Sequence, residues 1–399
     1  MNSSFNKFEP VDLSLATSTW DEAERSALID VIESGNFTMG EKVRTFEKAF
    51  AAFVGSAHAV MVNSGSSANL LAIAALVLSD RYDLTAGDEI IVPAVSWSTT
   101  YYPPSQYGLI LKFVDIDPGT LNLDITQLEK SISPKTKAIL GVNLLGNPLD
   151  LAALMEICSK HNLILVEDNC ESLGAELEGR QAGTFGVAGT FSTFFSHHIS
   201  TMEGGMVVTD DAHLYEMMLS LRAHGWTRDL PAKNTIHNKE GDAFLDSFRF
   251  VLPGYNLRPL ELEGAVGIHQ LKKTPAILEG RRINGAHFAE TMLQFSDYFS
   301  IQQETGKSSW FGFAIVLRED WISRSKLVDL MTTWGVQTRP IVTGNFTRNP
   351  VTRHLNHAPV GPLPNADLVD SHGLFFGNHH FDVRKKIDKL ARNFSSLTG

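Results

Sequence analysis

Short apolar runs rich in branched residues alternate with amphipathic segments along the first two-thirds of the chain. Apolar positions that recur every three to four residues predict helices, whereas short apolar runs predict buried strands. The pattern predicts helices over Asp21–Ser34, Glu41–Val54, Ser66–Leu78 and Leu149–His161, and strands over His58–Asn63, Glu89–Pro93, Lys112–Asp115, Lys137–Val142 and Leu163–Glu167. Such alternation favours an α/β fold whose mainly parallel sheet is covered by helices on both faces.

The pattern changes near Pro259. A helix is predicted over Leu260–Lys273, and mixed α+β segments follow, including an apolar run over Trp310–Val316 and a helix near Ser323–Trp334. A chain of 399 residues is also long enough to divide into two domains. We therefore predict a large α/β domain over residues 1–258 and a smaller α+β domain over residues 259–399.

Charge and hydropathy exclude two classes of partner. A formal net charge of −11 argues against a nucleic-acid-binding face, which needs clustered Lys and Arg. The longest apolar stretch, Leu70–Leu78, is much shorter than the roughly 20 residues of a membrane span. The first ten residues contain no basic segment that leads into an apolar run. We expect a cytoplasmic protein that holds any anionic ligand at a local site.

Residue counts also argue against inorganic centres. Cys158 and Cys170 are the only cysteines, whereas an iron–sulfur cluster typically takes about four thiolates. The 14 histidines include adjacent pairs, but none has the spacing of a helical His-Glu-x-x-His motif or a zinc finger. No metal site is expected.

Three small residues join a predicted strand to a predicted helix. Gly65, Ser66 and Ser67 offer free backbone N–H groups, two hydroxyls and the positive end of a helix dipole, which together suit a phosphate. A serine that caps a helix after a glycine turn explains the same residues equally well. The segment alone therefore does not decide between a binding site and a helix cap.

Two further side chains follow predicted strands, at the edge of the sheet where ligands bind in open α/β folds. Asp168 ends one strand, and an ionised carboxylate there could stabilise a pyridinium nitrogen or could cap a helix. Trp97 follows another strand and could stack on a cofactor ring, although a tryptophan beside a sheet is more often part of the core.

The segment from 191 to 209 is the most informative part of the chain. Ser192 is followed five residues later by the adjacent His197 and His198, and then by Glu-Gly-Gly and a predicted strand. Packing does not readily explain this order, although one histidine of the pair can be structural. No lysine occurs between Lys160 and Lys233.

These motifs resemble the DegT/DnrJ/EryC1/StrS sugar aminotransferases, which have the aspartate aminotransferase fold (PLP fold type I). In that family a lysine occupies the position of His197. Its replacement by histidine resembles the 3-dehydratases of 3,6-dideoxysugar biosynthesis. The resemblance covers essentially the whole chain and includes segments 62–70, 93–102, 167–171, 222–228, 254–259, 309–313 and 339–345.

The resemblance implies that the cofactor is pyridoxal 5′-phosphate, alternating with pyridoxamine 5′-phosphate. Its phosphate would lie beside Gly65 and contact Ser66, Ser67 and Ser192. Asn256 would reach that phosphate from the partner subunit of a homodimer.

The resemblance also implies contacts to the cofactor ring. Asp168 would pair with the pyridine nitrogen, Glu171 would lie near the ring hydroxyl, and Trp97 would stack on the ring.

Four residues are implied in substrate binding. His224 and Arg228 would lie near the sugar or its pyrophosphate. Trp310 and Arg339 would belong to the substrate or glutamate site, because arginine can bind a carboxylate or a phosphate in a bidentate way.

The implied reaction removes the hydroxyl on carbon 3 of a GDP-linked 4-keto-6-deoxyhexose, with L-glutamate as the amino donor. His197 cannot form the stable imine that a lysine forms, so the cofactor would bind without a covalent link. Imidazole, with an ordinary pKa near 6.5, is a competent base at neutral pH.

Three other functions fit parts of the sequence. A sugar 4-aminotransferase would need the missing lysine. A CDP-sugar dehydratase would need an iron–sulfur cluster and a separate reductase, and with two cysteines no reductase is expected. A catalytically inactive relative with a binding or regulatory role would also retain Asp168 and Ser192, and only an activity assay excludes it. The nucleotide base and the configuration of the hexose stay open.

Overall fold

The computed structural model describes residues 8–238, 241–318 and 321–398. The helices of these residues are α1 (Glu22–Ser34), α2 (Glu41–Val54), α3 (Gly65–Leu78), α4 (Ser98–Gln106), α5 (Ile125–Ser131), α6 (Leu151–His161), α7 (Ala212–Arg222), α8 (Ala243–Asp246), α9 (Glu261–Met292), α10 (Arg324–Thr333), α11 (Pro364–His372) and α12 (Arg384–Thr398). The strands are β1 (His58–Val62), β2 (Glu89–Pro93), β3 (Ile110–Val114), β4 (Thr136–Val142), β5 (Ile164–Asp168), β6 (Glu176–Leu177), β7 (Arg180–Gln181), β8 (Ala188–Ser192), β9 (Gly205–Thr209), β10 (Phe299–Ile301), β11 (Gly312–Leu317), β12 (Thr338–Arg339) and β13 (Gly373–Gly377).

A seven-stranded sheet forms the centre of the molecule, in the order β1-β9-β8-β5-β4-β2-β3. β9 runs antiparallel to β1 and β8, and the other neighbouring strands are parallel. This confirms the predicted α/β fold with a mainly parallel sheet. The five predicted strands correspond to β1–β5, with bounds that differ by at most two residues.

Helix α3 packs against one face of this sheet. It is apolar over most of its circumference, so it packs against β8 and β9 on one side and against α4 and α7 on others. The Ser64 side chain caps its first turn by accepting a hydrogen bond from the Ser67 N–H at 3.1 Å. The cap fixes the start of the helix at the carboxyl end of β1.

A second, antiparallel sheet follows in the order β10-β11-β13-β12. One of its faces belongs to a separate apolar cluster that includes Phe288, Phe313 and Phe376. The N-terminal segment joins the same cluster, since Val11 and Leu13 are buried in it and the Val11 N–H donates to the Trp334 carbonyl at 2.7 Å. The division into domains 1–258 and 259–399 remains a prediction.

Helix α9 is longer than predicted. The predicted segment, Leu260–Lys273, is only its first part, and the helix continues past Pro275 to Met292. It packs against α1, α2 and α12, and its side chains enter three apolar clusters. Tertiary packing therefore sustains the helix beyond a proline that removes one backbone hydrogen bond.

The carboxylate of Glu167 is enclosed beneath the end of β5. It accepts hydrogen bonds from the N–H groups of Gly183, Phe185 and Gly186 at 2.7, 2.6 and 2.8 Å. Burial raises its pKa, and these donors oppose that shift. The interaction ties the loop before β8 to the strand that carries Asp168.

We predict that Glu167→Ala destabilises the fold by about 3 kcal/mol or more, because three buried N–H groups lose their acceptor. Urea unfolding of the two proteins measures the difference. The control is Glu156→Ala on the exposed face of α6, which should change the free energy of unfolding by less than about 0.5 kcal/mol. Equal effects of the two substitutions would contradict the assigned role of Glu167.

Candidate active site

The carboxyl ends of β1, β2, β4, β5 and β8 open into a cavity of about 300 Å³. Its wall combines residues that follow these strands with residues of the second sheet. They are Ser64, Gly65, Ser66, Asn69, Ser96, Trp97, Thr99, Val142, Leu144, Leu145, Asp168, Cys170, Glu171, Ser192, Phe194, Ser196, His197, Glu203, Phe311, Arg339, Val342 and Phe375. Eight predicted site residues are thus brought together: Gly65, Ser66, Trp97, Asp168, Glu171, Ser192, His197 and Arg339.

The turn between β1 and α3 requires glycine. A β-carbon on Gly65 would lie 2.7 Å from the Ser192 β-carbon and 3.0 Å from the sulfur of Cys170. The helix N-terminus and the end of β8 therefore approach closely, which places the Ser66 and Ser192 hydroxyls on one wall. Free N–H groups, hydroxyls and a helix N-terminus form a cradle that suits a phosphate.

Ser67 is oriented away from this wall. Its hydroxyl donates to Asn63 Oδ1 at 2.6 Å and accepts from Ser64 Oγ at 3.0 Å. Ser66 differs, since its hydroxyl donates to Thr99 Oγ1 at 2.9 Å inside the cavity wall. The predicted contact of Ser67 with a phosphate stays a prediction, and its present bonds assign it to the turn.

The carboxylate of Asp168 is held by neutral donors. Its Oδ2 accepts from Asn69 Nδ2 and from Thr100 Oγ1, both at 2.8 Å, and the Cys170 N–H lies 3.3 Å from Oδ1. Thr190 in turn donates to Asn69 Oδ1 at 2.6 Å. These neutral donors fix the carboxylate at the cavity wall, and none of the described residues forms an ion pair with it, so the carboxylate remains available to a ligand.

The segment after Asp168 is a turn rather than a helix, so the helix-cap interpretation of Asp168 does not hold. Asn69 and Thr100 were not predicted. An asparagine among the buried, mainly apolar residues of α3 was the available signal, because a buried amide needs a partner.

Glu171 lines the same cavity and accepts a hydrogen bond from the Leu145 N–H at 3.1 Å. Burial raises the pKa of its carboxyl to about 7; the Leu145 N–H and the positive charge of Arg339 oppose this shift, and the negative charge of Asp168 adds to it. Glu171 can therefore donate or accept a proton near neutral pH.

The imidazole of His197 lies on the wall of the cavity, packed against the ring of Phe311 at 5.1 Å between centroids. None of the described residues forms a hydrogen bond with its buried Nδ1. Burial, together with the charges of Arg339 and Arg281, lowers the pKa of His197 to about 3. At neutral pH the ring is therefore an uncharged base.

The second histidine of the pair has a structural role. His198 is buried, and its Nε2 lies 3.1 Å from the Ser309 carbonyl oxygen. It therefore anchors the segment before β9 to the loop before β11. The structure thus separates the two adjacent histidines, as one interpretation of the pair allowed.

Trp97 and Arg339 line the cavity, and both are exposed. Trp97 precedes α4 and is 54% exposed, so it is a wall residue rather than part of the core. Arg339 is exposed on β12, with its guanidinium 5.4 Å from the centre of the Phe375 ring. Both side chains are open to a ligand.

Trp310 is not in the cavity, contrary to the expected place in a substrate site. Its side chain is 5% exposed and belongs to the apolar cluster of the second sheet. Its indole Nε1 donates to Glu304 Oε1 at 3.0 Å. The next residue, Phe311, lines the cavity instead, because the backbone of Trp310 turns through a left-handed conformation with φ +48°.

Three other predicted residues also lie outside this cavity. His224 and Arg228 surround the indole of Trp226, with centroid distances of 4.8 Å for the imidazole and 4.5 Å for the guanidinium. Asn256 accepts from Arg258 Nε at 2.9 Å on an exposed loop. Their roles in ligand binding stay predictions.

The wall fits a pyridoxal phosphate cofactor. The Ser66 and Ser192 hydroxyls at the α3 cradle suit its phosphate, and Asp168 offers a carboxylate that no described cation pairs with. His197, whose Nδ1 has no hydrogen-bond partner among the described residues, completes the set as a base. In the described part of the chain, no group of three or more His, Cys, Asp or Glu side chains could hold a metal ion. None of the helices described is both long and apolar enough to cross a membrane.

The chain belongs to the DegT/DnrJ/EryC1/StrS aminotransferase family, whose model matches residues 18–388. It has the fold of the type I enzymes that depend on pyridoxal phosphate. It is 54% identical to the GDP-4-keto-6-deoxy-D-mannose 3-dehydratase of Yersinia pseudotuberculosis, over 95% of this chain and 97% of that protein.

Two crystal structures of a GDP-4-keto-6-deoxymannose 3-dehydratase are also similar to this chain. Each has 51% identity and a TM-score of 0.93, over 96% of this chain and 99% of the other. One is a histidine-to-asparagine variant with bound GDP-perosamine, and the other contains a trapped adduct of pyridoxal phosphate and glutamate.

We predict that the absorbance of the bound cofactor changes with a midpoint near pH 7, because the Glu171 carboxyl loses its proton there. Below that pH the group is neutral, and above it a negative charge lies in the cofactor cavity. Glu171→Gln stays neutral throughout, so the transition should disappear.

Spectra of the loaded protein between pH 5.5 and 8.5 test this. Glu203→Gln is the matched control, because Glu203 lines the same cavity but is exposed. The same transition in Glu171→Gln would show that another group is responsible.

Proposed function

We propose that this protein is a 3-dehydratase that acts on GDP-4-keto-6-deoxy-D-mannose with pyridoxamine phosphate as cofactor and glutamate as amino donor. The product would be GDP-4-keto-3,6-dideoxymannose. The observation that carries the proposal is the place of His197, which lies on the cavity wall at the family's lysine position and has no partner at Nδ1 among the described residues. Relatives of 52–54% identity with that name support the substrate.

The residues of the cavity divide the binding of the cofactor among them. Ser66 and Ser192 bind the phosphate at the N-terminus of α3, and Asp168 pairs with the pyridine nitrogen. Trp97 stacks on the ring, and Glu171 lies near its hydroxyl. When bound as pyridoxamine phosphate, the cofactor supplies an amino group for the 4-keto carbon and a ring that stores an electron pair.

His197 moves the proton. Its neutral imidazole accepts a proton during the reaction, and the resulting imidazolium donates it to the hydroxyl on carbon 3, which leaves as water. Histidine suits this role better than lysine, because it cannot form a stable imine and does not deliver a proton to carbon 4 to complete a transamination. The 4-keto group is regained at the end.

The reaction balances without a reductase. Replacement of the carbon 3 hydroxyl by hydrogen is a two-electron reduction. Oxidation of one glutamate to 2-ketoglutarate and ammonia supplies the two electrons. Since the chain has only two cysteines, it cannot provide the four thiolates that a cluster for single-electron transfer typically needs.

We further propose that the protein forms a homodimer and works in the cytoplasm, on the route to the 3,6-dideoxyhexose colitose of lipopolysaccharide O-antigens. Both cysteines are free thiols, as is usual in a reducing compartment. Binding of His224, Arg228 and Arg339 to the GDP-sugar or to glutamate is part of the same proposal. Trp310 has no such part, since it is buried in the core.

We predict that the protein, incubated with pyridoxal phosphate, glutamate and GDP-4-keto-6-deoxymannose, forms one 2-ketoglutarate for each 3-deoxy sugar. His197→Asn should abolish both products and retain the cofactor, because the phosphate cradle and Asp168 are intact. Mass spectrometry of the sugar and an enzymatic assay of the keto acid measure the two together.

Other outcomes would reject the function. A strict requirement for ferredoxin or NADH would indicate the reductase-dependent reaction, and a stable 4-amino sugar would indicate an aminotransferase. Full turnover by His197→Asn would remove His197 from the mechanism.

The shared site of the proposed dimer predicts complementation. If Asn256 serves the partner's cofactor, a mixed dimer of His197→Asn and Asn256→Ala subunits has one site with both defects and one intact site. Such a dimer, purified with two affinity tags, should have about half of the wild-type activity at a cofactor concentration where each parent is inactive. If Asn256 serves its own subunit, every site is defective and the mixed dimer is inactive.

A further inference from the structure

Arg281 is a buried cation without a carboxylate partner among the described residues. It is 5% exposed on α9, and burial lowers its pKa to about 10. Its Nη1 donates to the carbonyl oxygens of Phe311 and Trp310 at 2.9 and 3.4 Å, and its Nε has no described partner. The burial of a charge without a carboxylate partner is energetically costly. The placement of Arg281 at these two carbonyls therefore requires an explanation.

The two carbonyls belong to a strained turn. Trp310 has φ +48°, a left-handed backbone conformation that residues other than glycine rarely adopt. Its indole fills a notch on α9, where a β-carbon on Gly285 would lie 2.4 Å from the ring. Asn378 Nδ2 also donates to the Trp310 carbonyl, at 3.0 Å. The surroundings therefore hold the turn in a conformation that it would not adopt alone.

The turn places the ring of Phe311 at the wall of the active-site cavity. Phe311 lines the cavity, and its ring lies 5.1 Å from the centre of the His197 imidazole and 5.6 Å from that of His198. His197 has no described hydrogen bond at Nδ1, and its ring packs against Phe311 and, at 5.9 Å between centroids, against Phe194. A continuous chain of contacts therefore runs from the Arg281 guanidinium through the turn and the Phe311 ring to the His197 imidazole.

We propose that Arg281 is a positioning residue, which holds His197 in place through the strained Trp310–Phe311 turn. The inference rests on the proposed function, because it concerns the base of that reaction. Arg281 lies behind the cavity wall rather than in it, and it acts on the imidazole only through the turn and through its charge.

The charges around His197 agree with this role. Cations face it from two elements, Arg281 on α9 and Arg339 on β12, and both lower its pKa after the larger effect of burial. The carboxylates that share the cavity are Asp168, Glu171 and Glu203. Removal of the Arg281 charge should therefore raise the pKa of His197.

The test compares Arg281→Met with Arg282→Met. Arg282 is the control, because it is the next residue of α9 and its described hydrogen bonds go to the carbonyls of Ser308 and Gly174, at 3.1 and 2.6 Å, and to Glu176, rather than to Trp310 or Phe311. Arg281→Met should lower kcat at least about tenfold with a small change in KM, whereas Arg282→Met should keep kcat within about twofold.

A second readout does not depend on turnover. In cofactor-loaded protein with ¹⁵N-labelled histidine, the His197 signals are identified by their loss in His197→Asn. Arg281→Met should shift these signals and raise the pH at which they titrate, and Arg282→Met should leave them unchanged. Arg281→Lys keeps the charge on a shorter side chain that reaches the two carbonyls less well, so its kcat should lie between wild type and Arg281→Met.

A folded Arg281→Met protein with wild-type kcat and unchanged His197 signals would overturn the proposal. If that variant does not fold, Phe311→Leu provides the test, since it keeps Arg281 and removes only the ring; unchanged His197 signals and kcat would again overturn it. A failure of the proposed dehydration leaves the NMR comparison intact, so the two failures are distinguishable.

Discussion

The cavity depends on a backbone contact at the first residue of β9. Gly205 pairs with Val62 on one side and with Ser192 on the other, so the carboxyl ends of β1 and β8 flank one glycine. A β-carbon at this position would lie 2.2 Å from the carbonyl oxygen of Ser64. Because the residue has no side chain, the phosphate cradle at α3 can approach the strand end that leads to His197. β9 thus lies antiparallel between β1 and β8, and this arrangement requires a glycine of the Glu-Gly-Gly motif at position 205.

Much of the fold was predictable, because buried parallel strands are continuous apolar runs and their ends carry the polar residues. Asp168 was located from the sequence for this reason, as the last residue of such a run. The length of α9 was not. Pro275 interrupts its pattern, and the contacts that sustain it come from α1, α2 and α12, far away in the sequence.

In the site, residue type was predictable where chemistry fixes it, and orientation was not. The sequence could not show that His198 contacts the Ser309 carbonyl while His197 lies on the cavity wall. The two residues are of the same type, and they differ only in the direction in which the side chain leaves the backbone. The same holds for Trp310 and Phe311. A left-handed backbone at the tryptophan exchanges the two rings between core and cavity, and no local pattern signals it.

The histidine at position 197 also changes the thermodynamics of the folded state. A lysine imine would make the cofactor part of the polypeptide, whereas non-covalent contacts leave it a ligand in exchange with solution. Binding to the folded state alone adds RT ln(1 + [L]/Kd) to the free energy of unfolding, about 2.7 kcal/mol at a hundredfold excess over Kd. The stability of this enzyme therefore depends on the concentration of free vitamin B6 phosphate, and starvation for the vitamin weakens the fold as well as the activity.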